Sequence, residues 1–222
     1  GSPPALGAPF CGVFARSPSF LKRDPHAPAR SRNRFWRGMM REIKFQGRGG
    51  QGVVMASQML GLAFFKAEMY PQCYSLFGGE RRGAPVVSFL RVDKEKIFLK
   101  CEIKRPNELI CFDQSLMNSS EVQNTMHRGS RILVSTVQSE EVFPSLQGFT
   151  VGLINASSIA GKLDLGRVIN TAVLGAYCKL AGSPLLEHVL EAVDEMVPAK
   201  KEANREAVKE GYANLKIVHV ER

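Results

Sequence analysis

The residues best suited to chemistry lie in one glycine-rich turn, Gly47-Arg48-Gly49-Gly50-Gln51-Gly52. A strand is predicted before this turn, over Glu42–Gln46, and a helix after it, over Val53–Phe65. In that context glycines allow a tight turn, let backbone N–H groups approach a phosphate and place the positive end of a helix beside it. Arg48 adds a charge that can contact an anion. The same glycines also suit a turn that packs closely against its helix and binds nothing, so both interpretations stand.

A nicotinamide site needs one more residue, which this sequence does not supply in the usual place. An acidic side chain about 20 residues beyond the turn normally binds the ribose hydroxyls. Residues 70–73 read Tyr-Pro-Gln-Cys, and Glu68 lies just before them. The sequence therefore argues against an ordinary NAD site, while a free-standing dinucleotide- or flavin-binding reductase stays open as an alternative.

A second charged turn follows within Ser75–Pro85. Here Glu80, Arg81 and Arg82 lie between two glycines, the second of which is Gly83. Runs of charge are usually solvated surface, but glycine on both sides favours a loop of defined shape. Adjacent arginines point in different directions, so the two are expected to serve different partners.

Cysteine and histidine spacing does not indicate a metal site in this chain. A zinc site or an iron–sulfur cluster needs several ligands brought together by a short loop. No two cysteines lie closer than ten residues, and the four histidines show no paired spacing. We expect free thiols in a reducing cytoplasm. The five cysteines are Cys11, Cys73, Cys101, Cys111 and Cys178.

Composition separates residues 1–39 from the rest of the chain. This leader holds six of the twelve prolines and six of the nine net positive charges, without hydrophobic periodicity. Such a stretch cannot repay its ordering entropy by burial. We expect a leader that is disordered or vector-derived, with Met39 or Met40 as the natural start, although an Arg-rich leader also fits a transit peptide.

Residues 40–222 are predicted to form one domain of globular composition. Only three net positive charges remain there, so nucleic-acid binding is not expected. No apolar run reaches the ~20 residues of a membrane span, so no membrane partner is expected either.

Strand-like and helical patterns alternate along this domain. A strand pair is predicted over Ala84–Val92 and Lys96–Lys100, and three apolar runs have the pattern of strands buried on both faces. The runs are Leu109–Phe112, Arg131–Ser135 and Phe149–Asn155. This alternation predicts an α/β fold, a three-layer Rossmann-like sandwich with a largely parallel sheet.

The C-terminal third is predicted to be helical. One helix spans Arg167–Ala181 and stops at Gly182, a residue suited to a left-handed cap. Ser183 and Pro184 have the types of a helix cap and first residue, and Pro198 ends that second helix. A charged helix over Ala199–Leu215 follows, before an apolar stretch at Ile217–Val220.

Several motifs in order along the chain resemble a known family, the gamma subunits of 2-oxoacid:ferredoxin oxidoreductases, equivalent to the third domain of the fused pyruvate enzymes. Together they cover Met40–Tyr212, and the ordered set is far more specific than any one motif. The RGAP form of the second turn resembles the branch that uses pyruvate or branched-chain oxoacids, although Gly79 replaces a common proline. The motifs are GRGGQG at 47–52, FGGERRGAPV at 77–86, Asn155-Ala156, NTAVLGA at 170–176, KKEANREAV at 200–208 and Gly211-Tyr212.

The resemblance implies oxidative decarboxylation of a 2-oxoacid with CoA to acyl-CoA, carbon dioxide and a reduced ferredoxin or flavodoxin. Thiamine diphosphate, iron–sulfur clusters and CoA belong to the assembled complex, and the partners are alpha, beta and ferredoxin-like delta subunits. This chain then carries no cofactor alone and no catalytic residue. Residues 47–52 and 80–83 are the expected binding loops, for CoA or another anion or for a sister subunit. A purely structural scaffold is a further alternative.

Overall fold

The computed structural model describes residues 40–76, 83–137, 146 and 148–219. The predictions for the leader and for Glu80, Arg81 and Arg82 lie outside these residues. The strands are β1 (Arg41–Arg48), β2 (Tyr70–Leu76), β3 (Pro85–Asp93), β4 (Glu108–Cys111), β5 (Arg131–Ser135), β6 (Thr150–Ile154) and β7 (Lys216–His219). The helices are α1 (Val53–Lys66), α2 (Ser119–Thr125), α3 (Ala156–Lys162), α4 (Asn170–Ala181), α5 (Leu186–Met196) and α6 (Lys201–Asn214), with a 3-10 turn at Gln114–Leu116.

The described strands form one mixed sheet in the order β2-β3-β1-β4-β5-β6-β7. The four central strands β1, β4, β5 and β6 pair in parallel. Antiparallel pairing begins at both ends, where β2 and β3 extend one side and β7 the other. The predicted α/β class is confirmed, and the parallel pairing belongs to the centre of the sheet.

The two faces of the sheet are covered unequally. On one face α1 and α4 pack on the sheet, over apolar side chains such as Ile43 and Phe45 of β1, and α5 packs against α1 and α4. On the other face Val122 of α2 and Met126, the residue directly after α2, belong to a smaller cluster over β4, β5 and β6. Three layers result. None of the described helices is long and apolar enough to cross a membrane.

The connection through α1 differs from that of a dinucleotide-binding unit. β3 pairs antiparallel with both β1 and β2, so it lies between them, and β1 and β2 run in the same direction. In a dinucleotide-binding unit the strand after the first helix is expected to pair beside the first strand. Here that strand, β2, is at the edge of the described sheet, with β3 between it and β1. The strand end that carries the ribose-binding acid in a dinucleotide-binding unit therefore has no counterpart beside β1.

Three local predictions need correction. Lys96–Lys100 does not form a strand, because β3 already has β1 on one side and β2 on the other. The helix predicted from Ser183 and Pro184 begins later, at Leu186, because the backbone of Leu185 before it is extended. The preceding helix begins at Asn170 rather than at residue 167 and ends, as predicted, at a left-handed Gly182.

Candidate functional site

The glycine-rich turn lies where the parallel strands end, an edge of the sheet that we call the carboxyl edge. β1 enters the turn at its end and α1 leaves it. Strands β4, β5 and β6 end at the same edge because they are parallel to β1. Ligands of parallel sheets usually bind at this edge.

Two of the glycines in the turn are required by close packing. A Cβ at Gly47 would lie 2.6 Å from Cγ2 of Val53 and 2.7 Å from Cβ of Phe112. At Gly52, where φ is +81°, a Cβ would lie 2.7 Å from Nδ2 of Asn170. Both positions therefore allow neighbouring protein atoms to approach, as the packing interpretation of the turn predicts.

The two sequence motifs meet at this edge. Gly49 N–H donates to the Ala84 carbonyl at 2.9 Å, and Gly83 N–H donates to the Gly49 carbonyl at 3.1 Å. Gly83 has a φ of +87°, which favours glycine. The glycine-rich turn thus holds the end of the second loop by paired backbone hydrogen bonds.

Arg48 is committed to contacts within the chain. Its Nε lies 2.6 Å from a carboxylate oxygen of Asp113, its Nη2 donates to Ser115 Oγ at 2.9 Å and its Nη1 donates to the Gly83 carbonyl at 3.2 Å. Burial acts to raise the pKa of Asp113, but hydrogen bonds from Ser115 and Arg48 outweigh it and hold that pKa below its ordinary value. Asp113 is therefore ionised. Arg48 links the glycine-rich turn to the segment after β4, through Asp113 and Ser115, and to the end of the second charged turn, through Gly83.

Gln51 connects the turn to a neighbouring cleft. Its Oε1 accepts from Arg48 N–H at 2.7 Å and its Nε2 donates to the Phe112 carbonyl at 3.5 Å. The N–H groups of Gly50 and Gly52 donate no hydrogen bond to a described residue. Backbone amides at a helix start are suited to an anion.

The cleft beside the turn, which we call the polar cleft, has a volume of about 250 Å³. The side chains that line it include amides and hydroxyls but no histidine, cysteine or lysine. Thr136 donates a hydrogen bond to Gln114 across it. Such a lining can hydrogen-bond an uncharged polar group. The lining residues are Gln51, Phe112, Asp113, Gln114, Ser135, Thr136, Val137, Asn155 and Ser157.

Sequence reasoning named only Gln51 and, within a motif, Asn155 among these residues. Most of the others stand at the ends of β4 and β5, directly after buried apolar runs, and Ser157 lies in the first turn of α3. Asn155 also caps α3, since its Oδ1 accepts from Ser158 N–H at 3.0 Å. The sequence signal that could have identified the cleft residues is a polar residue directly after a buried strand.

The C-terminal motifs form a close contact between α4 and α6. A Cβ at Gly175 would lie 1.8 Å from the Val208 carbonyl oxygen, and one at Gly211 would lie 1.9 Å from the Ala172 carbonyl oxygen. Thr171 Oγ1 donates to Oδ1 of a buried asparagine in α6 at 3.1 Å. The glycines of the C-terminal motifs, Gly175 and Gly211, therefore allow α4 and α6 to pack closely.

A buried charge cluster, not predicted from the sequence, lies at the opposite edge of the sheet. Glu108 is 1% exposed and accepts hydrogen bonds from Arg41 at 2.6 and 2.9 Å, from Arg131 at 3.3 Å and from the Tyr177 hydroxyl at 2.8 Å. Burial acts to raise the pKa of Glu108, but the two arginines hold it below its ordinary value. The cluster joins β1, β4, β5 and α4, far along the strands from the polar cleft.

Comparisons with known proteins agree on one family. A family model described as pyruvate ferredoxin/flavodoxin oxidoreductase matches residues 42–214. The common gamma subunit of the pyruvate/ketoisovalerate oxidoreductases of Thermococcus kodakarensis is 39% identical over 177 residues, which cover 78% of this chain and 96% of that subunit. The gamma subunit of the NADH-dependent phenylglyoxylate dehydrogenase of Aromatoleum evansii is 38% identical over 187 residues, 82% of this chain and 98% of that one.

A solved structure has the same fold over nearly the same length. The pyruvate oxidoreductase subunit PORC of Thermotoga maritima superposes with a TM-score of 0.70 at 29% sequence identity. The match covers 80% of this chain and 98% of that subunit.

Proposed function

The chain belongs to the gamma-subunit family of the 2-oxoacid:ferredoxin oxidoreductases, and on that basis we propose that its carboxyl edge helps to bind CoA in the assembled enzyme. As a gamma subunit it is part of a multisubunit oxidoreductase that acts on the oxo group of its donor with an iron–sulfur protein as acceptor. The proposal concerns what this subunit adds to that enzyme.

The redox cofactors are proposed to belong to the partner chains. The four described cysteines are free and separate, and a cluster needs several thiolates around one centre. These residues do not fit an iron–sulfur cluster, and no group of His, Cys, Asp and Glu among the described residues is placed to hold a metal ion. Alpha, beta and ferredoxin-like delta subunits are the proposed carriers of thiamine diphosphate and clusters, with ferredoxin or flavodoxin as acceptor, in the cytoplasm.

One observation carries the CoA proposal, namely that Gln51, a residue of the glycine-rich turn, also lines the polar cleft. CoA has phosphates at one end and an amide-bearing arm. The amides of Gly50 and Gly52, at the start of α1, suit the phosphates. Amide and hydroxyl side chains such as Gln114 and Thr136 suit the arm.

Blocking the polar cleft tests this proposal. Ser157 is exposed in the first turn of α3 and lines the cleft, so Ser157→Trp should obstruct it without disturbing the core. We expect the KM for CoA of the assembled enzyme to rise by about tenfold or more, which corresponds to about 1.4 kcal/mol of lost binding. The KM for the 2-oxoacid should not change.

The neighbouring residue provides the matched control. Ser158 is also exposed but does not line the cleft, so Ser158→Trp should leave the KM for CoA unchanged. Equal values for the two tryptophan variants would contradict the proposal. Arg48→Ala, Arg81→Ala and Arg82→Ala, measured by CoA affinity in the assembled enzyme, test the loops named from the sequence.

A purely structural scaffold is the second candidate. It is favoured by the observation that the Arg48 guanidinium donates hydrogen bonds to Asp113, Ser115 and Gly83 within the chain. Under this alternative the Ser157→Trp enzyme assembles and binds CoA normally, whereas Arg48→Ala loses sister subunits from the purified complex. The same set of variants therefore separates the two candidates.

A further inference from the structure

The connection between β3 and β4 forms an exposed surface that the CoA proposal does not use. Residues 94–105, which we call the basic loop, follow β3 and hydrogen-bond to Gln72, Tyr74 and Arg91, which lie on the face of β2 and β3 opposite α1. Residues 94–105 contain no strand or helix. A loop in this position can present side chains to another protein.

Hydrogen bonds to the sheet hold the basic loop in place. Arg91, a strand residue only 1% exposed, donates to the Cys101 carbonyl at 2.7 Å. Gln72 donates to the Leu99 carbonyl at 2.8 Å, and Ile103 N–H donates to the Tyr74 hydroxyl at 2.6 Å. A surface that is already ordered has less entropy to lose when a partner binds.

The charge of the basic loop is strongly positive. Its five cations stand against Glu95 and Glu102, which leaves three net positive charges. Residues 40–222 as a whole also have three, so this loop accounts for their excess. All five cations of the basic loop are exposed, and none makes an ion pair with a described residue. The five cations are Lys94, Lys96, Lys100, Lys104 and Arg105.

Large apolar side chains stand among these charges. Phe98 is 79% exposed, the largest exposure of the large apolar side chains in the described chain, and Lys96 Nζ lies 5.5 Å from its ring centroid. Leu99 beside it is 46% exposed, and Leu76, on the same face of β2 as Gln72, is 50% exposed. An aromatic anchor surrounded by charges is the arrangement of a protein interface with an apolar centre and a polar rim.

We propose that the basic loop docks on a carboxylate-rich surface of a sister subunit of the same oxidoreductase, with Phe98 inserted into an apolar pocket there. Charge complementarity favours this partner, because unpaired cations around exposed apolar side chains match carboxylates around a pocket. The chain is a subunit of a multisubunit enzyme, so its free surfaces include interfaces with other proteins. This inference rests on family membership and does not depend on the CoA site.

The test uses the complex purified through a tag on this chain, with subunit content measured by native mass spectrometry. Phe98→Ala should weaken retention of one sister subunit by about tenfold or more, the effect of removing an aromatic anchor. The double variant Lys96→Glu and Lys100→Glu should weaken this retention similarly. Raising the ionic strength from about 0.05 to about 0.5 M should release the same subunit from the wild-type complex.

Cys101 provides a readout that needs no substitution, because this exposed thiol belongs to the basic loop. Its alkylation should be at least about tenfold slower in the complex than in the isolated chain. A carbodiimide, which joins amines to adjacent carboxylates, should link Lys96 or Lys100 to Asp or Glu of the subunit that Phe98→Ala releases.

Lys209→Glu is the control, because Lys209 is also exposed but lies on α6, which packs against α4 on the opposite face of the sheet. It should leave subunit content unchanged, and unaltered thermal unfolding of the Phe98 variant would show an intact fold. The inference is overturned if Phe98→Ala and the charge reversal retain all subunits as the control does. Cross-links only between copies of this chain, or a loop that binds anionic vesicles or RNA but no subunit, would also overturn it.

Discussion

Gly175→Ala gives a sharp test of the packing assigned to the C-terminal motifs. The added Cβ would lie 1.8 Å from the Val208 carbonyl oxygen, although real Cβ contacts essentially never fall below 3.0 Å. The obstacle is helix backbone, which cannot rotate away as a side chain can. α4 and α6 therefore have to separate locally by about 1.2 Å, which loosens a close-packed contact.

Two effects of opposite sign decide the magnitude. Alanine is better than glycine in a helix interior by about 1 kcal/mol, whereas overpacking a core costs about 1–3 kcal/mol and sometimes more. Because the clash here involves backbone, we expect the steric effect to be at the upper end. The net loss in the free energy of unfolding should be about 2 kcal/mol, or about 4–8 °C in Tm for a chain of this length.

Urea unfolding of the purified variants measures this loss, with Gly161→Ala as the control. Gly161 lies in α3, and a Cβ there meets nothing within 4 Å. The same substitution should therefore be neutral or stabilising by up to about 1 kcal/mol. Equal unfolding free energies for the two variants would refute the packing argument.

Further measurements follow from the buried and capping groups. Glu108→Gln should lower the unfolding free energy at neutral pH by about 3–5 kcal/mol, because it leaves buried arginines without their counter-charge. Burial favours the neutral acid, but those arginines hold the pKa of Glu108 below its ordinary value. This stabilisation is therefore present above the unfolded pKa of about 4.3 and lost as the pH falls below it, and the variant should show a weaker acid dependence in urea titrations. Asn155→Ala removes the cap of α3 and should cost about 1 kcal/mol in the same assay, and an unchanged unfolding free energy would contradict the capping role. Burial raises the pKa of the Cys73 and Cys178 thiols to about 12, so iodoacetamide at about pH 8 should label Cys101 much faster, as mass spectrometry of digests can measure.

The elements that sequence reasoning found are those with a strong local pattern. β5 has an apolar centre and is buried at every residue, and α1 is apolar on nearly all sides. β2 was missed because Tyr70–Leu76 contains a proline and polar residues, and at the edge of the sheet its side chains are only partly buried. α2 and α3 were missed because they are seven-residue helices with polar first turns, which are typical of loops as well.

The candidate site was predicted only in part, for a reason of topology. The glycine-rich turn is contiguous in sequence, so its position was evident. The polar cleft collects residues such as Asp113, Thr136 and Asn155 from the ends of three different strands. Only the order and direction of the strands bring them together, and no local pattern encodes strand order.

Glycine motifs leave a particular ambiguity, since a missing Cβ can admit a ligand or a neighbouring side chain. At four motif glycines the space of the missing Cβ is taken by protein atoms. A Cβ at Gly47, Gly52, Gly175 or Gly211 would lie less than 3 Å from a neighbouring atom, so these four positions serve close packing. A substitution at such a position disturbs the fold before it disturbs any bound molecule, and a loss of activity there says little about chemistry. Exposed side chains near the motifs, such as Ser157 in the lining of the polar cleft, can be changed while the core stays intact. Function is therefore better tested at those side chains than at the motif glycines.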